Sequence, residues 1–370
     1  MNDNSSLNIG YVTVRDMITE GSSIARSIPQ PVKRLIINNP HIKEDDPIFF
    51  FLTIDGIIIS KISIFPEIVT YRGKSMRWFW GQDFYTEPTW RGKGYGKQLI
   101  ESMLSELNSR NIIFGAYAMS KSSKRLWPKC GLVEIGRVPR HFLILNSNPF
   151  LESYINTRLL KTIFGNVMNG FLQSIKSIVN CKTKRSGNMF IVQEIGNFSF
   201  ELDNLILHNQ PVLWIERSSP MMNWKLNHAR ENLGNKKTYK AFYIKKKNDN
   251  SVVGYFIIRF GCYDNLAGRP YKNIKLTTLV DMFYDARTPG ILDGLIYHIL
   301  NESYSLGSDV VEIITSCDGI NKLLHDSLFF HKGGYDLWCS MPPNCILMDD
   351  YCRNLSNWHI TAGESDAFFF

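Results

Sequence analysis

The sequence predicts an α/β (α+β) protein made of two mixed-sheet units in tandem, the second a degenerate copy of the first. Three observations lead there. Short strands run into a glycine-rich turn and an amphipathic helix, the second half repeats that order in outline, and both halves carry an aromatic-x-Lys-x-Gly-apolar segment. A chain of 370 residues is also long for one hydrophobic core, so two units are the natural division.

Taken in order, the apolar run Ile48-Phe49-Phe50-Phe51-Leu52 meets the turn pair Asp55-Gly56, and Ile57 to Ile64 makes a second strand. A turn at Tyr71-Arg72-Gly73-Lys74 leads into a third strand, Met76 to Thr86, which ends at Glu87-Pro88-Thr89-Trp90. The glycines follow, in Arg91-Gly92-Lys93-Gly94-Tyr95-Gly96. Leu99, Met103, Leu104 and Leu107 then fall at helical spacing, which predicts a helix from Gly96 to Ser109. Asn111 to Ala118 returns to strand, and a short helix from Ser122 to Cys130 stops at Gly131. This first unit spans 1–147. Residues 148–185 read as connecting helices, since Leu151, Ile155, Leu159, Ile163 and Val167 recur at helical spacing with few Gly, Pro or Ser residues together. Residues 186–370 form the second unit, with strands at Val252–Arg259, Ile274–Tyr284 and Val310–Thr315 and a helix at Ile291–Tyr304. Phe330-His331-Lys332-Gly333-Gly334-Tyr335 echoes Trp127-Pro128-Lys129-Cys130-Gly131-Leu132.

Composition narrows the class. The 44% hydrophobic and 21% charged fractions are those of a globular protein. Seven cysteines without repeated short spacing suggest neither a disulfide framework nor a metal site, and reduced thiols in a cytoplasm are expected. The polar start lacks a secretion pattern, and no apolar run approaches the roughly 20 residues of a membrane span. The net charge of +8 gathers at Lys182–Arg185, Lys236-Lys237 and Lys245–Lys247. No nucleic-acid fingerprint accompanies it, so it reads as solvated surface with some help for phosphate ligands.

Glycines at alternate positions allow the backbone to turn tightly and approach a ligand. Consecutive N–H groups and the positive end of the following helix make an anion site there, with Arg91, Lys93 and Lys97 adding charge. A Walker loop is excluded because Lys97 precedes Gln98 rather than Ser or Thr, and the spacing is not that of a Rossmann fingerprint.

The stretch resembles motif A of the GNAT acyltransferases, with Arg91, Gly94 and Gly96 at its defining positions. Phe84-Tyr85-Thr86-Glu87-Pro88 stands where that family places the strand that pairs with the pantetheine arm, and Leu126–Leu132 matches a later segment of the pattern. The resemblance covers about residues 8–145. It implies that Arg91, Gly92, Lys93, Gly94, Tyr95, Gly96 and Lys97 hold the coenzyme A pyrophosphate, that Phe84, Tyr85 and Thr86 position the thioester, and that Ser120 lies beside them. One departure is plain: the family's frequent general-acid Tyr is Trp127, leaving Tyr117 and Ser120 as nearby candidates for proton donor.

The second half lacks the loop. Pro289 donates no N–H and Asp285 and Asp293 repel phosphate, so this copy should not bind coenzyme A and instead serves the acceptor. The arrangement is similar to tandem-GNAT N-acyltransferases of nucleotide amino sugars in bacterial lipopolysaccharide, O-antigen or capsule biosynthesis. That resemblance implies transfer of an acyl group, of acetyl or 3-hydroxybutyryl type, to the amine of a nucleotide-linked sugar such as a dTDP-3-amino-3,6-dideoxyhexose. Acyl-CoA is then a co-substrate, with no permanently bound cofactor, no metal, and neither nucleic acid nor membrane as partner. Arg217, Trp224 and Arg259 are the candidate acceptor-binding residues, and the tail Trp358–Asp366 carries part of the likeness. Asp83 is the first candidate for the base that takes the amine's proton, with Glu364, Glu87 and Asp366 following. Two alternatives stand beside this: a Fem-like acyl- or aminoacyltransferase acting on protein or peptidoglycan precursors, and a non-catalytic acyl-CoA sensor.

Overall fold

The computed structural model describes residues 6–364 apart from 20, 22, 29, 119, 156, 232–236, 267–268, 328, 344 and 346–348. Lys236, Ser365 and Asp366 therefore lie outside the described residues.

The first half runs β1 (Leu7–Thr13), α1 (Val14–Thr19), α2 (Ser23–Ser27), α3 (Gln30–Ile37), β2 (Pro47–Ile54), β3 (Ile57–Tyr71), β4 (Lys74–Thr86), α4 (Tyr95–Ser109), β5 (Ile113–Tyr117), α5 (Lys121–Leu126) and β6 (Val133–Ile144). The connecting helices are α6 (Asn148–Tyr154) and α7 (Arg158–Gly187). The second half runs β7 (Phe190–Ile195), α8 (Phe200–Asn209), β8 (Leu213–Ile215), α9 (Ser219–Glu231), β9 (Lys237–Lys246), β10 (Val252–Leu266), β11 (Arg269–Tyr284), α10 (Ile291–Ser305), β12 (Val310–Ile314), α11 (Asp318–Asp326) and β13 (Phe330–Ser340).

The continuous apolar run of β2 is buried along its whole length, because the sheet is covered on both faces. Helix α4 buries Leu99, Ile100, Met103, Leu104 and Leu107 against Ile62, Ile64, Phe79 and Phe114 of the sheet, as its spacing requires.

All the strands join one mixed sheet in the order β1-β2-β3-β4-β5-β13-β6-β12-β11-β10-β9-β7, with β8 added on β3. The order is symmetric about the β13–β6 pair. In each half an antiparallel meander leads to a parallel pair, β4 with β5 and β11 with β12, and a 15-residue helix makes the crossover. Sheet pairing does not stop at residue 147. The first half's last strand, β6, pairs with β12, while the second half's last strand, β13, pairs with β5. The halves thus exchange their final strands, and neither sheet is complete alone.

Candidate active site

Two local features open a cleft in the first half. β5 pairs with β4 only at Trp78–Trp80, although β4 continues to Thr86, so the strands part beyond Trp80. At the same place β4 bulges. Lys61 pairs with Tyr85 and Ser63 with Gln82, which sets Asp83 and Phe84 opposite the single residue Ile62. Asp83 takes the left-handed conformation there, at φ 53°.

The cleft has a volume of about 570 Å³. One wall is the end of β4 and the turn after it, with Phe84, Tyr85, Thr86, Arg91, Gly92, Gly94, Tyr95, Gly96 and Lys97; Ser120 lies on the other. The structure therefore brings together all the sequence-selected coenzyme residues except Lys93, whose ammonium sits 4.4 Å from the Trp90 ring centroid. Sequence reasoning missed Trp90, Ser122, Ser123, Leu126 and Lys129 as lining. Ser122, Leu126 and Lys129 recur at helical spacing, which was the signal available for that wall.

Gly94 caps α4 with φ 88° and ψ −7°, and a Cβ placed there would meet no atom within 4 Å. The first helical hydrogen bond runs from Gln98 N to Gly94 O, so the preceding N–H groups point along the axis into the cleft. Gly96 permits close approach of helix and strand, since a Cβ there would stand 3.1 Å from both the Phe84 ring and Thr86 Oγ1. Arg91 braces the turn: its Nε donates to Thr86 O at 2.8 Å and its guanidinium lies 5.5 Å from the Tyr85 ring. Ser120 caps α5 by accepting from Ser123 N at 3.2 Å.

Asp83 is exposed and lines a separate depression with Val32, Phe49, Lys61 and Ser63; Phe84 and Tyr85 line both that depression and the cleft. Trp127 is 2% exposed and packed within 6 Å of the Phe84 and Phe114 rings, so it belongs to the cleft's foundation. Tyr117 is buried too, and burial holds its hydroxyl protonated far above the usual range.

The structure does not bring Glu364, Arg217 and Trp224 to the cleft. Arg217 pairs with Asp281 at 3.1 Å and with Glu364, and Lys225 pairs with Glu67 at 2.7 Å. Tyr255 and Thr361 donate to Asp281, and Trp80 Nε1 donates to Glu67 at 3.1 Å. All five charged groups are almost fully buried. Two cations face three carboxyls there, so one carboxyl can be kept neutral. Burial, with repulsion from Glu67 and Asp281, lifts Glu364 to about 7 against the pull of Arg217 and Lys225. Burial acts most strongly on Asp281, but Arg217, His359, Lys225 and the Thr361 hydroxyl together outweigh it and hold that carboxyl below the usual range. This network joins β3, β4, α9, β10, β11 and the tail, and so ties the two halves together. Trp224 donates Nε1 to Leu35 O and packs on Phe65, while Arg259 lies on β10 beside the Tyr239 hydroxyl.

The second half shows why its equivalent turn differs. Gly290 caps α10 in the same left-handed way, at φ 73°, but a Cβ there would stand 2.9 Å from Ser186 Oγ. Gly187 packs on Tyr297, and His298 Nε2 lies 3.2 Å from Gly187 O. The end of α7 covers the position that is open at Gly94. Among the described residues no group of His, Cys, Asp and Glu is arranged to hold a metal ion.

Residues 16–132 match the model of the Acetyltransferase (GNAT) family, a segment that contains both walls of the cleft. Solved structures extend the likeness to most of the chain. A conserved protein of unknown function from Enterococcus faecalis V583, described as a probable N-acyltransferase, is 12% identical with a TM-score of 0.55, covering 91% of this chain and 73% of that one. A GCN5-related N-acetyltransferase from Anabaena variabilis is 13% identical with a TM-score of 0.56 over 91% and 73%. Saccharomyces cerevisiae N-myristoyltransferase with bound myristoyl-CoA is 13% identical with a TM-score of 0.54 over 93% and 85%. At these identities the likeness establishes a shared fold. Compared by sequence with curated proteins, the chain matches none.

Proposed function

We propose that this chain is an acyl-CoA-dependent N-acyltransferase that acylates the amine of a nucleotide-linked amino sugar by direct attack on the thioester. The observation that carries the reading is the cleft. Its uncovered β4 edge at Phe84–Thr86 offers main-chain groups to a pantetheine arm as a neighbouring strand would, and the start of α4 suits a diphosphate. Lys97 and Lys129 add positive charge on the two walls. The GNAT match over residues 16–132 supports the same donor.

In this reading the neutral amine nitrogen attacks the thioester carbonyl carbon at the junction formed by Phe84 and Tyr85. Backbone N–H groups of Phe84–Thr86 hold the developing oxyanion. The C–S bond then breaks, the acyl group stays on nitrogen, and the thiolate leaves. Asp83 takes the proton that the amine sheds, because it lines the depression that meets the cleft at those two residues. The amine therefore enters from the Asp83 side, where Lys61 can meet an acceptor phosphate. Trp127 has no proton to give, and the open cleft lets solvent protonate the thiolate, whose conjugate acid has a pKa of roughly 8.5. Arg217, Trp224 and Glu364 act here as framework, and the net charge of +8 suits two phosphate-bearing substrates.

The test is a mass-spectrometric screen of acyl-CoAs against nucleotide amino sugars, with thiol release measured alongside. A sugar heavier by one acyl group, formed with one equivalent of thiol, is expected. Acylation of peptide amines in place of the sugars would move the function to protein or peptidoglycan-precursor modification. Thiol release without an acylated product would defeat the reading.

A further inference from the structure

Helix α7 presents most of its described large apolar side chains to the outside. The described residues that face the body fall on one side of the helix and are mostly small or polar: Gly165, Asn169, Leu172, Val179, Thr183 and Gly187. Several make specific contacts. Asn169 accepts from Ser147 N at 2.9 Å, and a Cβ at Gly165 would stand 2.9 Å from Asn148 Oδ1. The opposite sector carries Leu160, Ile163, Phe164, Val167, Phe171 and Ile178, each between 45% and 65% exposed. Leu159 and Met168 extend it, at 69% and 41%. A surface helix ordinarily turns such a stripe toward the core, and contiguous apolar patches of this kind on a monomer mark an interaction site.

Charge identifies the occupant. Between Glu152 and Glu194 the sequence has no Asp or Glu, yet it has Arg158, Lys161, Lys176, Lys182, Lys184 and Arg185. Two copies meeting through this helix would set one wholly basic segment against another. An anionic surface with an apolar interior satisfies both features at once. With 30 residues the helix is about 45 Å long, enough to lie along such a surface. Its glycines and asparagines make it too polar to cross, and no helix among the described residues is long and apolar enough to span a membrane.

We infer that the outward face of α7 seats the protein on an anionic lipid bilayer, with the helix lying in the headgroup region. This departs from the expectation of no membrane partner. It rests on α7 alone and stands or falls independently of the acyl-transfer reading.

The experiment is co-sedimentation of the full chain with vesicles of phosphatidylcholine alone and with about one third phosphatidylglycerol, at low and high salt. The triple variant Phe164→Ser, Val167→Ser, Phe171→Ser is run beside it. Binding to the anionic vesicles that weakens with salt, and falls about tenfold or more in the variant, is expected. No sedimentation with either vesicle, or undiminished binding by the variant, overturns the inference. So does a wild-type dimer in light scattering that the variant converts to monomer without any vesicle binding, since the face then belongs to a second copy. Should the variant fail to fold, Phe171→Trp replaces it: its emission, taken as the difference from the wild-type chain with its eight tryptophans, shifts to the blue with anionic vesicles, and an unmoved difference spectrum overturns the inference.

Discussion

Replacing Gly94 with Asp should weaken coenzyme A binding by roughly two orders of magnitude while leaving the fold in place. Gly94 sits at φ 88° and ψ −7°, a conformation that costs an L residue about 1 kcal/mol and that Asp and Asn tolerate better than most. No atom lies within 4 Å of the new Cβ, so there is no clash. A negative charge at the start of α4 also favours that helix. The coenzyme meets the opposite situation. A carboxylate about 5 Å from one phosphate charge, at an effective dielectric near 20, costs about 3 kcal/mol. Solvent in the open cleft reduces this to roughly 2–3 kcal/mol, or about 100-fold in affinity. Calorimetric titration of wild type, Gly94→Asp and Gly94→Asn separates the causes, because Asn shares the shape and backbone preference without the charge. Asn should stay within about tenfold of wild type. A folded Gly94→Asp protein with wild-type affinity would show that no diphosphate sits at this turn, and an equal loss in the Asn variant would show that charge is not the cause.

Arg217→Met leaves Asp281 and Glu364 buried without their main cation and should cost about 3–5 kcal/mol of stability in urea unfolding; a loss under about 1 kcal/mol contradicts the network's role. Glu364→Gln should flatten the dependence of stability on pH. Because folding raises this carboxyl to about 7, the stabilisation it gives is complete below its ordinary 4.5 and is lost as pH rises through about 7. The variant should therefore gain on wild type between about pH 5 and pH 8, and parallel profiles would count against the assignment. Asp83→Asn should lower kcat about 100-fold with little change in the KM for acyl-CoA, and should recover at higher pH where the amine is already neutral; an unchanged kcat excludes Asp83 as the base. Arg287→Glu should leave coenzyme affinity unaltered, since Arg287 is exposed and paired with Asp285 at 2.9 Å. A large loss there would place a second coenzyme site in the chain.

Local signals made the first half legible. Asp55-Gly56 and Arg72-Gly73 take the positive φ their turns require, and the helix over Leu99–Leu107 follows its apolar spacing. The cleft wall from Phe84 to Lys97 is contiguous in sequence, so a motif could report it. What the sequence did not disclose depends on contacts between distant residues. The exchange of β6 and β13 links strands nearly 200 positions apart, and no local pattern encodes it. Arg217 and Glu364 look like surface charges until the fold brings Asp281, Lys225 and Glu67 around them. Trp224 likewise finds its partners in Leu35 and Phe65, far away in the chain. The covering of Gly290 by Ser186 follows from the length and direction of α7, which spacing alone does not set.

A crystal structure with a non-hydrolysable thioether analogue of acyl-CoA tests the cleft itself. One molecule per chain is expected, its diphosphate within hydrogen-bond reach of the N–H groups of Gly94–Gly96 and its carbonyl beside Phe84–Thr86. Density for the coenzyme at the Gly290 turn, or anywhere that leaves the Phe84–Lys97 wall untouched, would rule out this cleft as the coenzyme site.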